Sequence, residues 1–291
     1  MDYSSILDQY LPAGGSTQYN TVVEKAQAKS RENFTNVVYK TCFSSLDLTS
    51  LSEKDNVKSI SELARKASEM QRIFPDIPLP ATICVYPSFV DVAGLGVEGT
   101  GIGVSSVAGG FPAGQTFLEV KMLEAAMAVE NGADEIDIPI NVGDMLCGDF
   151  DRAGNELEII RNEIGDEVTF KVIIESGALA TPDLIRKASL LAIYAGADFV
   201  KTSTGKSSLP TPLEAAVICT AIRDYYEKTG LRVGFKAAGG IRTNADAILY
   251  FTIVEEILGK EWLNPSLFRI GASSLANDLI KSITGQTTPY F

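Results

Sequence analysis

Short apolar runs rich in β-branched residues alternate along this chain with longer stretches whose apolar positions recur at helical spacing. That alternation predicts βα units around a parallel sheet rather than an antiparallel fold. Runs near residues 37–43, 81–86, 103–108, 135–138, 170–174, 199–202, 233–237 and 268–270 are apolar enough to be strands buried on both faces. Among the intervening stretches, 117–131 places Leu118, Met122, Ala125, Ala126 and Val129 on one helical face before a stop at Gly132. Thr181-Pro182-Asp183 opens another helix with a cap and a proline in the first turn.

At 291 residues the chain has the size of a (β/α)8 TIM barrel, about 250 residues, with an added terminal segment. The expected organisation is an α/β barrel over 37–285, a helical N-terminal extension over 1–36 and a short tail over 286–291. Asn131-Gly132-Ala133-Asp134 and Ala195-Gly196-Ala197-Asp198 echo one another, each ending a helix and leading into a strand. The glycine-rich stretch 91–101 is expected to be mainly loop, since each glycine inside a helix costs about 1 kcal/mol relative to alanine.

Composition narrows the function classes. A formal charge of -12 argues against nucleic acid or an anionic membrane as partner, so an anionic small molecule must be held by local charge. Cys42, Cys84, Cys147 and Cys219 are too scattered for a disulfide framework or a zinc site, which fits a reducing, cytoplasmic setting. No apolar run nears the roughly 20 residues of a membrane span, and the N-terminus lacks signal-peptide features, so a soluble, unexported chain is expected. With no histidine, acid-base work falls to Lys, Asp, Glu, Tyr or Cys.

Barrel chemistry gathers at the C-terminal ends of the strands. There Lys201 leaves an apolar run within Ala197-Asp198-Phe199-Val200-Lys201-Thr202-Ser203-Thr204-Gly205-Lys206. A lysine losing hydration at a buried strand end becomes a nucleophilic amine, although a solvent-facing strand end reads equally well from this segment. Lys236 and Asp137 end two further strands and would share one barrel mouth with Lys201. Two adjacent lysines favour loss of one proton, and Asp137 could carry it; mutual neutralisation of Asp137 and one lysine is the plain alternative.

The loops at 236–242 and 271–274 follow strands seven and eight, where such barrels often bind phosphate. Gly205-Lys206-Ser207 is not a nucleotide loop, because Val200 stands where the first glycine would be needed. Cys84 reads first as a buried apolar thiol and second as a pocket residue.

An ordered series of motifs then carries a resemblance. It comprises Asp47-Leu48-Thr49-Ser50-Leu51, Cys84-Val85-Tyr86-Pro87, Asp134-Glu135-Ile136-Asp137, Lys171-Val172-Ile173-Ile174-Glu175-Ser176-Gly177, Phe199 to Lys206, Lys236 to Thr243 and Phe268 to Ser274. From about Asp47 to Ser274 the chain resembles the 2-deoxyribose-5-phosphate aldolase family, class I aldolases that use a lysine Schiff base. The resemblance implies reversible cleavage of 2-deoxy-D-ribose 5-phosphate to acetaldehyde and D-glyceraldehyde 3-phosphate, without cofactor or metal. It makes Lys201 the Schiff-base lysine, with Lys236 and Asp137 as its catalytic partners. It assigns Asp47 and Thr49 to ordering of substrate hydroxyls or water. The implied phosphate site is Gly205, Lys206, Gly239, Gly240, Gly271, Ser273 and Ser274. Tyr290 is carried over only as a candidate proton relay, because Phe291 follows it.

Other departures are Gly109-Gly110-Phe111-Pro112 in place of an Asn-Phe-Pro motif, the glycine-rich second crossover and the long N-terminal segment. The expected partners are a phosphorylated sugar and aldehydes, with a homo-oligomer left open. A metal-dependent aldolase is disfavoured by the absence of imidazole. A non-catalytic phosphosugar-binding barrel, or a Schiff-base aldolase for another phosphorylated sugar, is the alternative.

Overall fold

The computed structural model describes residues 1–287 and 289–291. Its centre is a closed barrel of parallel strands in sequence order: β1 (Leu46–Thr49), β2 (Thr82–Val85), β3 (Gly103–Val107), β4 (Glu135–Pro139), β5 (Thr169–Ile173), β6 (Phe199–Lys201), β7 (Gly234–Ala238) and β8 (Phe268–Ala272). Closure comes from β1 pairing with β8, where Asp47 lies opposite Gly271. Nearly every strand residue is buried, because side chains fill the barrel on one face and helices cover the other.

Before β1 run α1 (Tyr3–Leu7), α2 (Ser16–Ser30) and α3 (Asn36–Ser44). The first four crossovers carry α4 (Val57–Ile73), α5 (Val90–Val97), α6 (Leu118–Glu130), and the pair α7 (Val142–Cys147) and α8 (Phe150–Ile164). The rest carry α9 (Ser176–Leu179) with α10 (Pro182–Tyr194), α11 (Pro212–Thr229) and α12 (Asn244–Leu258), and α13 (Leu275–Thr284) follows β8.

Two expectations fail. The run 37–43 is not the first strand but the body of α3, capped by the Thr35 hydroxyl, which accepts from Val38 N. Its apolar residues obey a helical period: Val38, Cys42 and Phe43 are buried while Val37 is 74% exposed. The true first strand is the four-residue Leu46–Thr49, too short to stand out by pattern.

The glycine-rich stretch also forms a helix over most of its length, α5. A Cβ on Gly96 would lie 2.4 Å from the Ala64 Cβ of α4, so this glycine serves close helix packing rather than a turn.

The internal echo marks equivalent joints. Gly132 and Gly196 both take positive φ, 100° and 94°. The carboxylates of Asp134 and Asp198 each accept from a neighbouring strand amide at 2.8 Å, Val104 N and Phe170 N.

The N-terminal helices lie against the outside of the barrel. Tyr3 is fully buried over Gly154 of α8, where an added Cβ would meet the ring at 2.4 Å. Its hydroxyl donates to Glu158 at 3.0 Å. Helix α2 packs on α11 and α12, and α3 on α12 and α13.

Candidate active site

Residues opposite each other in a parallel pair point to the same face. Asp137 of β4 faces Lys171 of β5, and Lys201 of β6 faces Lys236 of β7. All four project into the barrel and meet at Asp137. Its Oδ2 lies 2.7 Å from both Lys201 Nζ and Lys236 Nζ. Its Oδ1 accepts from Lys171 Nζ at 2.7 Å and from Ser105 Oγ at 3.2 Å.

The network continues around the interior. Lys171 pairs with Glu135 at 2.6 Å, and Lys236 pairs with Asp47. Arg269 of β8 closes the ring, holding Asp47 at 2.6 Å and Glu135 at 2.8 Å. Four cations therefore face three carboxylates, so the fully ionised network carries one positive charge in excess.

The electrostatics single out Lys201 to relieve that excess. Burial lowers its pKa below the usual lysine value and Lys236 adds to the effect, against the pull of Asp137. Lys236 is buried too, but Asp137 and Asp47 outweigh the burial and raise its pKa. Lys171 shifts upward for a like reason, held by Asp137 and Glu135. Burial alone would raise both acids, yet Lys171, Lys201 and Lys236 hold Asp137 well below the carboxylate range, and Lys236 and Arg269 do the same for Asp47. The site therefore pairs the most readily deprotonated lysine with a persistent ammonium across one carboxylate.

Lys201 does not point into solvent; its side chain is 4% exposed and reaches the floor of a pocket of about 400 Å3. That pocket is lined also by Thr49, Gly205, Lys206, Gly239, Gly240, Gly271, Ser273 and Ser274. Asp47, Cys84, Asp137 and Lys236 lie buried behind it. Thr49 donates its hydroxyl to Asp47 O at 2.8 Å. Cys84 packs with Leu51 and Val107 beside Tyr86 and Phe111, and burial pushes its thiol pKa up.

The glycines at the rim have distinct reasons. A Cβ on Gly239, at φ 99°, would lie 2.6 Å from Ser203 Oγ, so the β6 and β7 loops touch through backbone. The Thr202 and Ser203 hydroxyls fasten the same junction by donating to Ala238 O at 2.9 and 2.8 Å. Gly271 leaves room for the Lys236 side chain, whose Cε would stand 3.3 Å from an added Cβ. Lys206 leans over the opening and donates to Leu51 O, while Ser273 and Ser274 precede the first turn of α13.

Tyr290 does not reach this pocket in the structure. Its hydroxyl donates to Lys66 O at 2.8 Å, its ring packs edge-on against Phe74, and Asn277 Oδ1 accepts from Tyr290 N and Phe291 N. A larger cavity of about 830 Å3 between α6 and α8 contains none of the predicted residues.

Pattern reading missed Lys171, Arg269 and Glu135 as site members. Lys171 and Glu135 were legible as charges inside apolar runs, a signal that charge pairing inside the barrel would explain. Arg269 becomes a partner of Asp47 only once β8 closes on β1.

A family model described as DeoC/LacD family aldolase matches residues 44–278. Human deoxyribose-phosphate aldolase is 41% identical over 254 residues, covering 84% of this chain and 80% of the relative. The mouse deoxyribose-phosphate aldolase is 42% identical over the same length and coverage. A Toxoplasma gondii crystal structure superposes with a TM-score of 0.76 at 23% identity, covering 86% of this chain and 95% of that one, which bears on the fold alone. With the family model spanning the whole barrel and relatives above 40% identity over most of the chain, this protein belongs to the DeoC/LacD family of aldolases.

Proposed function

We propose that the chain cleaves 2-deoxy-D-ribose 5-phosphate reversibly to acetaldehyde and D-glyceraldehyde 3-phosphate through a Schiff base on Lys201. The observation that carries this reading is the single oxygen of Asp137 held 2.7 Å from both Lys201 Nζ and Lys236 Nζ.

Neutral Lys201 attacks C1 of the open-chain sugar and the carbinolamine loses water, giving an iminium. A base takes the proton of the C3 hydroxyl, the C2–C3 bond breaks, and its electron pair moves through C2 to the nitrogen. D-Glyceraldehyde 3-phosphate leaves and an enamine remains. Protonation at C2 restores the iminium, and water releases acetaldehyde and the free amine. Asp137 exchanges protons with the amine that donates to it, Lys236 is joined to that exchange through the same Asp137 oxygen, and Asp47 keeps Lys236 charged. Thr49, on the pocket wall, orders a substrate hydroxyl or water, and Asp47 acts from behind it through Lys236.

The 5-phosphate rests at the rim against Lys206, Gly205, Gly239, Gly240, Gly271, Ser273 and Ser274. Lys206 supports this as the local cation that an acidic protein needs for an anionic ligand. Tyr290 acts as a proton relay only if the tail leaves Lys66.

Acetaldehyde with borohydride tests the chemistry: reduction should fix a two-carbon adduct on Lys201, found by peptide mass analysis. An active preparation without that adduct overturns the mechanism.

The division into a 1–36 extension, a 37–285 barrel and a 286–291 tail is a further proposal, supported by α1 and α2 within the extension, while α3 falls on the barrel side of the boundary, ahead of β1. A cytoplasmic location is supported by four free cysteines, and subcellular fractionation tests it. Self-association is supported by an exposed apolar stripe on α6 and its approach, Phe117, Val120, Leu123 and Met127. Light scattering tests it, with a monomer mass as the contrary result.

A further inference from the structure

Glu175 follows β5 with φ 48° and ψ 57°, the left-handed region that side chains seldom adopt. It and Ala180, at the two ends of α9, are the non-glycine residues with positive φ among the described residues. Such a conformation persists only where the surroundings hold it.

Here the surroundings are one loop. Glu175 is 5% exposed, and its Oε2 accepts from Thr204 N at 3.1 Å and Thr204 Oγ1 at 2.6 Å. Its Oε1 accepts from Ser208 Oγ. Thr204 Oγ1 in turn accepts from Lys206 N at 3.1 Å, so a continuous hydrogen-bonded path joins the Glu175 carboxylate to the backbone of Lys206. The next residues grip the same loop farther along. A Cβ on Gly177 would meet the Ser208 Cβ at 2.7 Å, and Ser176 Oγ donates at 2.6 Å to Glu214, which caps α11.

The loop from Thr202 to Ser208 leaves Lys201 at one end and carries Lys206 at the pocket rim. Whatever fixes its shape sets the distance between the reacting amine and the rim cation. We infer that Glu175 is a positioning residue for substrate recognition, clamping this loop so that Lys206 and Gly205 meet the phosphate while Lys201 meets C1. This inference rests on the reading of the rim as the phosphate site. Glu175 touches neither lysine amine, so its effect falls on selection of the phosphorylated sugar and not on bond cleavage.

The test compares 2-deoxyribose 5-phosphate with unphosphorylated 2-deoxyribose in Glu175→Gln, Thr204→Val and Lys206→Ala. Gln keeps the size of Glu175 but its amide nitrogen cannot accept the second set of hydrogen bonds. Loss of such charge-assisted bonds should raise KM for the phosphorylated sugar about tenfold in Glu175→Gln, with kcat/KM for the unphosphorylated sugar within about twofold. Thr204→Val removes the middle of the same path and should shift the preference the same way, which keeps the test open if Glu175→Gln does not fold. Equal losses on both sugars, or no loss on either, overturn the inference. If Lys206→Ala abolishes the preference while Glu175→Gln and Thr204→Val keep it, only the role of Glu175 fails. If Lys206→Ala keeps it, the phosphate reading fails and the inference with it.

Discussion

Lys201 and Lys236 stand directly opposite each other on β6 and β7, and their amines share one oxygen of Asp137. Shared acceptance does not make them equivalent. Lys236 also holds the fully buried Asp47, whereas Lys201 opens onto the pocket. The same barrel register thus yields one lysine that keeps its proton and one that gives it up.

Removing the persistent ammonium should disable its neighbour. In Lys236→Met the repulsion that favours neutral Lys201 is gone, so the Lys201 pKa rises and less free amine exists near neutral pH. A rise of about one unit lowers kcat/KM about tenfold at neutral pH. The acid limb of the pH profile should move to higher pH, and loss of rate with an unmoved limb would count against this account.

The excess charge gives the opposite prediction for an acid that never touches the pocket. Glu135 pairs with Lys171 and Arg269. Glu135→Gln deletes one of the three carboxylates, raises the positive excess and should lower the Lys201 pKa further, moving the acid limb to lower pH. A pH profile of the variant decides the sign, with circular dichroism to confirm the fold. A shift to higher pH would mean that local contacts, not the charge of the whole network, govern Lys201.

Lys201, Asp137 and Lys236 were legible because each is a charge near the end of an apolar run, where a barrel assembles chemistry. Lys171 left the signal of a charge inside an apolar run, but Arg269 left none that pointed to Asp47, because its role depends on which strands become neighbours. Arg269 and Asp47 are 222 positions apart and meet only through barrel closure. The backbone of Glu175 leaves no trace in composition or period. The strand placed at 37–43 failed because a seven-residue apolar run fits either period, and the cap at Thr35 is the cue that separates them.

Gly96 lies in the stretch expected to be mainly loop and instead serves as a helix contact. Gly96→Ala improves helix propensity on paper, by about 1 kcal/mol. The new methyl would meet the Ala64 Cβ at 2.4 Å, however, and Ala64 is too short and rigid to swing away. The helices must separate, so the net effect should be destabilising by about 1–3 kcal/mol. Denaturant unfolding checks this, and a gain in stability would mean that α4 and α5 have slack. Ala64→Gly should partly restore the double variant.

Asp47 should matter more for acid stability than for any single chemical step. It is fully buried, and Lys236 and Arg269 hold its pKa below the ordinary carboxylate value despite that burial. A depressed folded pKa contributes stability that is complete above the unfolded value near 3.8 and is lost as pH falls through the folded value. Asp137 is shifted in the same direction, so the two acids act together below about pH 4. Asp47→Asn leaves Lys236 and Arg269 short of a partner at every pH, and breaking a buried pair of this kind costs about 3–5 kcal/mol. Urea unfolding at pH 7 and pH 3 should therefore show a large gap between wild type and variant at pH 7 that narrows at pH 3, where the wild-type carboxylate begins to lose its advantage. A gap that stays constant with pH would assign the cost to packing and remove Asp47 from the acid response.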